Sequence, residues 1–152
     1  MVESVPVEKL KQMIGQDNGI SDWVPIDQER INRFADATDD HQWIHVDVEQ
    51  AKKGPFGGII AHGFLALSLT TLFSSSGKYM PEGMKMVVNY GLNKVRFIAP
   101  VPVGSRIRSK MVISGVEEKE SGRLLVTTTH TIEIEGQDKP ACVAETLAMF
   151  MA

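Results

Sequence analysis

Apolar positions change period about halfway along the chain. In the first half they recur at three- and four-residue steps, the spacing of one helix face. Val7, Leu10 and Ile14 follow Pro6, which can open a helix, and Gly15 can end it. A short strand is predicted over Asp22–Ile26. Asp27 then occupies a cap position before a helix whose face is Ile31, Phe34, Ala35 and Thr38, with Glu29, Arg30 and Arg33 mostly on the other side. Asp47, with Gln50 three residues on, is a second cap, for a short helix ending at Gly54. Pro55-Phe56-Gly57-Gly58 is a break. From Gly63 to Ser76, the residues Phe64, Leu65, Leu67, Leu69, Leu72 and Phe73 point in nearly every direction, which predicts a helix buried on all sides. Gly77 can stop it.

In the second half the period shortens to two. Runs over 84–90, 92–98, 105–116, 123–135 and 141–151 are rich in Val, Ile and Thr and read as strands separated by turns. Arg106, Arg108 and Lys110 alternate with Ile107, Ser109 and Met111, as a half-buried antiparallel strand requires. Glu120-Ser121-Gly122 and Glu135-Gly136-Gln137-Asp138 supply turns. Helices first, one of them enclosed, then antiparallel strands predict a single α+β domain over residues 1–152, with the sheet wrapped around the central helix. Such a sheet leaves an edge, so a dimer is expected.

Composition mainly excludes. A chain of 152 residues and 16.8 kDa, 43% hydrophobic and 23% charged, can bury a core without staples. A net charge of -3 gives no general attraction to nucleic acid or to an anionic membrane. The first residues lack the basic start and long apolar run of a secretory signal, and the apolar stretch Ile59 to Phe73 is interrupted by His62, Gly63, Ser68, Thr70 and Thr71. With one cysteine, Cys142, there is no internal disulfide framework, and a reducing, cytoplasmic compartment is expected.

The chemistry gathers in two neighbouring segments, Asp39-Asp40-His41-Gln42-Trp43-Ile44-His45 and Ile60-Ala61-His62-Gly63-Phe64. Asp40 and His45 lie five apart on what reads as a loop between helices. They are either an acid–base pair that shares one water or a capping acid beside a surface histidine. Gly63 opens the apolar helix, where its N–H could meet a developing oxyanion or simply allow close packing. His41-x-x-x-His45 with Asp39, Asp40 or His62 has the donor types of a zinc or iron site, but no Glu separates the histidines as in a zincin helix, and no metal is expected. His130 shares the strand face of Val126, Thr128, Ile132 and Ile134 and reads as a hydrogen-bonded core residue. Cys142 reads as a small core hydrophobe, and Ser68 as a residue packed on its own helix. Lys94 and Arg96, with Lys52-Lys53, could meet phosphates or belong to a solvated surface.

Asp40-His41-Gln42-Trp43-Ile44-His45, then Gly54-Pro55-Phe56, then Ala61-His62-Gly63-Phe64 resembles the MaoC-like (R)-specific enoyl-CoA hydratases of the hot-dog superfamily, in particular the branch of the nodulation protein N-like proteins. The stretches Asn89 to Phe97 and Pro100 to Gly104 resemble that branch too. The resemblance implies a hot-dog fold, usually paired as a homodimer, and hydration of trans-2-enoyl-CoA to (R)-3-hydroxyacyl-CoA without a cofactor. It implies Asp40 and His45 as the catalytic dyad and the Gly63 N–H as the group that polarises the thioester carbonyl. Gln42 and Trp43 replace the Asn-Pro of the wider family pattern, so Gln42 would keep the amide hydrogen bond and Trp43 would line the acyl tunnel. His62, Lys94 and Arg96 join them as expected contacts of the acyl-CoA substrate. Thr71 holds the place where some relatives carry a Ser hydroxyl near the dyad. A hot-dog thioesterase and a non-enzymatic acyl-CoA or acyl-carrier binding module are the alternatives.

Overall fold

Alternation in the second half of the chain becomes a six-stranded sheet in the computed structural model, which describes all 152 residues. Before the sheet proper come β1 (Glu3–Val5), α1 (Val7–Gln12), β2 (Asp17–Ile20), β3 (Val24–Pro25), α2 (Gln28–Thr38), α3 (Trp43–Val46) and α4 (Val48–Lys52). The central helical segment is α5 (Gly63–Ser68) with α6 (Thr70–Ser74), followed by β4 (Tyr79–Pro81). The long strands are β5 (Met86–Phe97), β6 (Arg106–Glu118), β7 (Leu124–Ile134) and β8 (Cys142–Met151). Their order is β2-β6-β7-β8-β5, antiparallel throughout, with β3 also on β6. Leu65, Ala66 and Phe73 of α5 and α6, with Leu69 between them, share one core with Ile107, Ile132, Cys142 and Ala144 of the sheet, so the core lies between helix and sheet.

Local signals performed as physics requires. The Asp27 side chain accepts the N–H of Arg30 at 2.8 Å, and that of Asp47 accepts the N–H of Gln50 at 3.0 Å, so each aspartate caps its helix. Ile107, Ser109 and Met111 are buried, while Arg106 and Arg108 on the other face pair with Glu135 and Glu133.

Four expectations are corrected. The runs 84–90 and 92–98 form one strand, β5; the register slips between Asn89 and Gly91, so the glycine marks a bulge and not a turn. The central helix is broken at Leu69 and is not enclosed: Phe64 and Leu72 are exposed, because the sheet curls around one side only. The hydroxyls of Ser68, Thr70, Thr71 and Ser74 each donate to a carbonyl three or four residues back, a pattern that bends helices. The strand expected over 22–26 shrinks to β3, while β1, β2 and β4 appear where no strand was expected. Asn18 ties β2 to β4, its Oδ1 accepting the N–H of Tyr79 at 2.9 Å. Finally, His45 lies on the short helix α3, not on a loop.

His130 is fully buried, with Nδ1 2.9 Å from the Ser109 hydroxyl and Nε2 3.4 Å from that of Ser74. Burial pushes its pKa down from 6.5 to about 4, so the folded protein holds it neutral while the unfolded chain protonates it near 6.5. Between those values the unfolded state binds more protons, and stability falls as the pH drops from 6.5 towards 4. The expected loss is on the order of 3 kcal/mol. Urea unfolding across that window measures it, and a His130→Leu variant should show a flatter profile. Cys142 is equally buried, and burial pushes its thiol up to about 11, as befits a core residue.

Candidate active site

The site is assembled where α2 stops. Asp39 takes the left-handed conformation at φ 57°, which an aspartate tolerates better than most residues, and this reverses the chain after Thr38. Asp40 follows, half exposed, with Oδ1 accepting the N–H of Gln42 at 3.3 Å. One turn of α3 then brings His45 inward. The His45 Nδ1 is 2.7 Å from the Ile60 carbonyl. Since a carbonyl only accepts, Nδ1 carries the hydrogen, and in the neutral ring the lone pair is then on Nε2. Ile60 fastens the other half of the site as well: its N–H donates to Ile44 at 3.2 Å and it bridges to Pro102. Two residues later His62, only 3% exposed, precedes α5.

Asp40, His45 and His62 each present an atom within 4.8 Å of the other two. The imidazoles of His45 and His62 stack with centroids 3.8 Å apart, and Phe34 covers His62 from α2 at 4.9 Å. The His62 Nε2 donates to the Asp40 carbonyl at 3.0 Å and lies 4.0 Å from Asp40 Oδ2. Two imidazoles and a carboxylate have the donor types of a divalent cation site. However, His62 turns a hydrogen and not a lone pair towards Asp40, and its Nδ1 is sealed from solvent. The arrangement suits proton transfer through one water held between Asp40 and His45.

Gly63 is the first residue of α5, so its N–H precedes the first intrahelical bond. A Cβ at this position would meet the Phe97 ring at 3.0 to 3.3 Å, and Phe64 meets the same ring edge-on at 5.8 Å. A cavity of about 1000 Å³ lies between the broken helix and the sheet, and Asp40, His45, His62 and Gly63 are not among the residues that line it. Leu67 and Thr71, at four-residue steps from Gly63, line it together with Leu92, Thr128, Thr146 and Leu147.

The fold thus gathers Asp40, His45, His62 and Gly63 at one mouth and scatters the remaining candidates. Gln42 contributes its backbone N–H to Asp40. Trp43 does not line the cavity: its ring lies over Gly54, where a Cβ would fall 2.8 Å from it, which is why a glycine follows α4. Thr71 lines the cavity, but its hydroxyl donates to the Ser68 carbonyl at 2.7 Å and not to the dyad. Lys94 and Arg96 are exposed on β5, the strand that carries Phe97 past Gly63. His41 is exposed and paired with Asp36 at 2.9 Å, which raises its pKa. Sequence reasoning missed the task of the Ile60 carbonyl, although Ile60 opens the second motif segment, and the rings of Phe34 and Phe97, which come from other segments. The left-handed Asp39 did carry a signal, an aspartate directly after a helix pattern.

A curled antiparallel sheet packed on a helix, with a carboxylate and two imidazoles gathered where that helix begins, is a hot-dog domain. The chain belongs to the MaoC-like domain family, which matches residues 9–135. It is 52% identical over 146 residues to 3-hydroxyacyl-thioester dehydratase Z of Mycobacterium tuberculosis, covering 96% of each chain. It is 42% identical over 149 residues to nodulation protein N of Rhizobium meliloti, covering 97% of this chain and 92% of that protein. Among solved structures, an unliganded R-hydratase of Pseudomonas aeruginosa shares the fold, with a TM-score of 0.70 at 20% identity over 98% of this chain and 87% of that one. No helix is long and apolar enough to cross a membrane.

Proposed function

We propose that this protein is an (R)-specific 2-enoyl-CoA hydratase of the cytoplasm, adding water reversibly to trans-2-enoyl-CoA to give (R)-3-hydroxyacyl-CoA. The observation that carries the reading is the Asp40 carboxylate within 4.8 Å of a His45 ring nitrogen, at the mouth of a helix opened by Gly63. A water held by both groups gives its proton to the His45 Nε2 as its oxygen bonds to C3 of the substrate. The displaced electrons move onto the thioester oxygen, where the Gly63 N–H meets the enolate, and a proton then passes to C2. The 3-hydroxyacyl-thioester dehydratase relative names the same chemistry in reverse.

The cavity supports an acyl substrate longer than crotonyl. Its volume of about 1000 Å³ is at the upper end of the range for small-molecule sites, and its walls are largely apolar. Lys94 and Arg96, exposed on β5, the strand that carries Phe97 past Gly63, would meet the phosphates of CoA. Loss of conjugated enoyl absorbance on incubation with trans-2-enoyl-CoAs of increasing length, with chiral analysis of the product, tests the proposal. Hydration with KM falling as the chain lengthens is the expected result. Release of free thiol without hydration would favour a thioesterase, and binding without either reaction a carrier module.

The edge strand β5 exposes Val87, Tyr90, Leu92 and Phe97, an apolar row that an antiparallel copy would cover. A homodimer is therefore expected. Light scattering that returned the mass of a single chain would refute it.

A further inference from the structure

We propose that His62 is a positioning residue of this site, a neutral imidazole that seats His45 by stacking and fixes Asp40 through its main-chain carbonyl. The inference rests on the reading of Asp40 and His45 as the dyad, but it gives His62 a different task from substrate contact. A ring only 3% exposed, closed in by Phe34, His45 and the Asp40 backbone, offers almost no surface to an acyl-thioester.

The hydrogen bonds determine its protonation. Nε2 lies 3.0 Å from the Asp40 carbonyl oxygen, which can only accept, so Nε2 carries the hydrogen. Nδ1 is buried and has no partner in the protein. A second proton there would make a buried, unpaired N–H on a charged ring, which is costly. The titratable groups facing His62 are Asp40, His45 and His41; Phe34, packed on it from α2, is uncharged. Burial dominates and lowers the His62 pKa, His45 and His41 push the same way, and the bond to the Asp40 carbonyl and the Asp40 charge oppose.

Neutrality matters because of the ring 3.8 Å away. When His45 takes the proton from water it becomes a cation, and a second cation stacked on it would repel it in a poorly solvated site. A neutral ring offers His45 a flat, uncharged seat, while the Nδ1–H bond to Ile60 stops the His45 ring from swivelling. The same His62 side chain holds the Asp40 backbone from the interior, opposite the left-handed Asp39 and the Gln42 N–H. Losing His62 should therefore slow the chemical step and spare binding.

Crotonyl-CoA hydration by His62→Phe, which keeps a ring but not the donor, and His62→Gln, which keeps a donor but not the ring, tests this, each alone and combined with Asp40→Asn. We expect kcat to fall about 10-fold or more in His62→Phe, with KM within about 3-fold of wild type. In the Asp40→Asn background the same change should cost less than about 2-fold, because the residue acts through Asp40. A raised KM with intact kcat, or losses that multiply, would overturn the proposal. Independently of any variant, long-range proton–nitrogen spectra of the wild-type protein at neutral pH should show His62 with a bare Nδ1 and a protonated Nε2, and this form should persist to lower pH than in an ordinary histidine. The opposite tautomer, or titration at an ordinary histidine pKa, would overturn it as well. Wild-type rates in Asp40→Asn would instead sink the dyad reading. An inactive Asp40→Asn beside a fully active His62→Phe would sink this inference alone.

Discussion

Crotonyl-CoA hydration falls by about 10³-fold in Asp40→Asn and in His45→Ala, the range in which removal of a general acid–base group lies. The two substitutions differ in what else they disturb. Asp40 is half exposed, and Asn keeps the oxygen that accepts from Gln42, so Asp40→Asn should leave the unfolding midpoint near wild type. Its defect is then chemical: an amide cannot take up or pass on a proton as the carboxylate does. His45 is buried, bonded to Ile60 and stacked on His62, so its truncation also costs stability, about 1 to 3 kcal/mol. Stopped-flow or steady-state assays with thermal melts on the same samples separate the two effects. Unchanged turnover in either variant would remove that residue from the mechanism. The double variant should be little slower than the worse single one, because the two groups handle one water.

Gly63→Pro should lower kcat by about 10²- to 10³-fold, the usual cost of one oxyanion donor. The substitution is chosen because the fold tolerates it where few others would act so selectively. Gly63 is the first helical residue, where proline is favoured and the missing N–H breaks no helix bond. The preceding His62, at φ -60° and ψ 137°, already has the extended backbone that a following proline requires. Gly63→Ala is the control: it presents the same Cβ to Phe97 at about 3.0 Å and keeps the N–H. Phe97 is half exposed on the edge strand and can give by the few tenths of an ångström needed. Alanine should therefore retain most of the activity, and equal turnover in the two variants would show that the N–H is not used.

What could be read from the sequence was what depends on short range. Asp27 and Asp47 cap their helices because a carboxylate three residues before a free N–H needs nothing else. His130 and Cys142 went to the core because their strands alternate. The errors came from distance. β1 and β4 pair in parallel across the chain, and β2 is secured by Asn18 to Tyr79, contacts that three- and four-residue runs do not announce. Gly91 reads as a turn until β8 pairs with residues on both sides of it. At the site, Asp40, His45 and Gly63 stood out by type and spacing, whereas the task of His62 depends on which ring it touches and on the burial of one nitrogen atom.

The cavity and the dyad share no residue. The walls come from Leu67, Thr71 and the strands, while Asp40 and His45 are held by the Gln42 N–H, the Ile60 carbonyl and the His62 ring, all in the first half of the chain. Heritable change can therefore reach substrate choice and chemistry separately. If the acyl chain occupies this cavity as proposed, a larger or smaller side chain on its wall would alter which acyl groups enter and leave Asp40 and His45 in register. A lineage built on this fold can thus drift from one acyl thioester to another through active intermediates, with no generation in which water addition has to be reinvented.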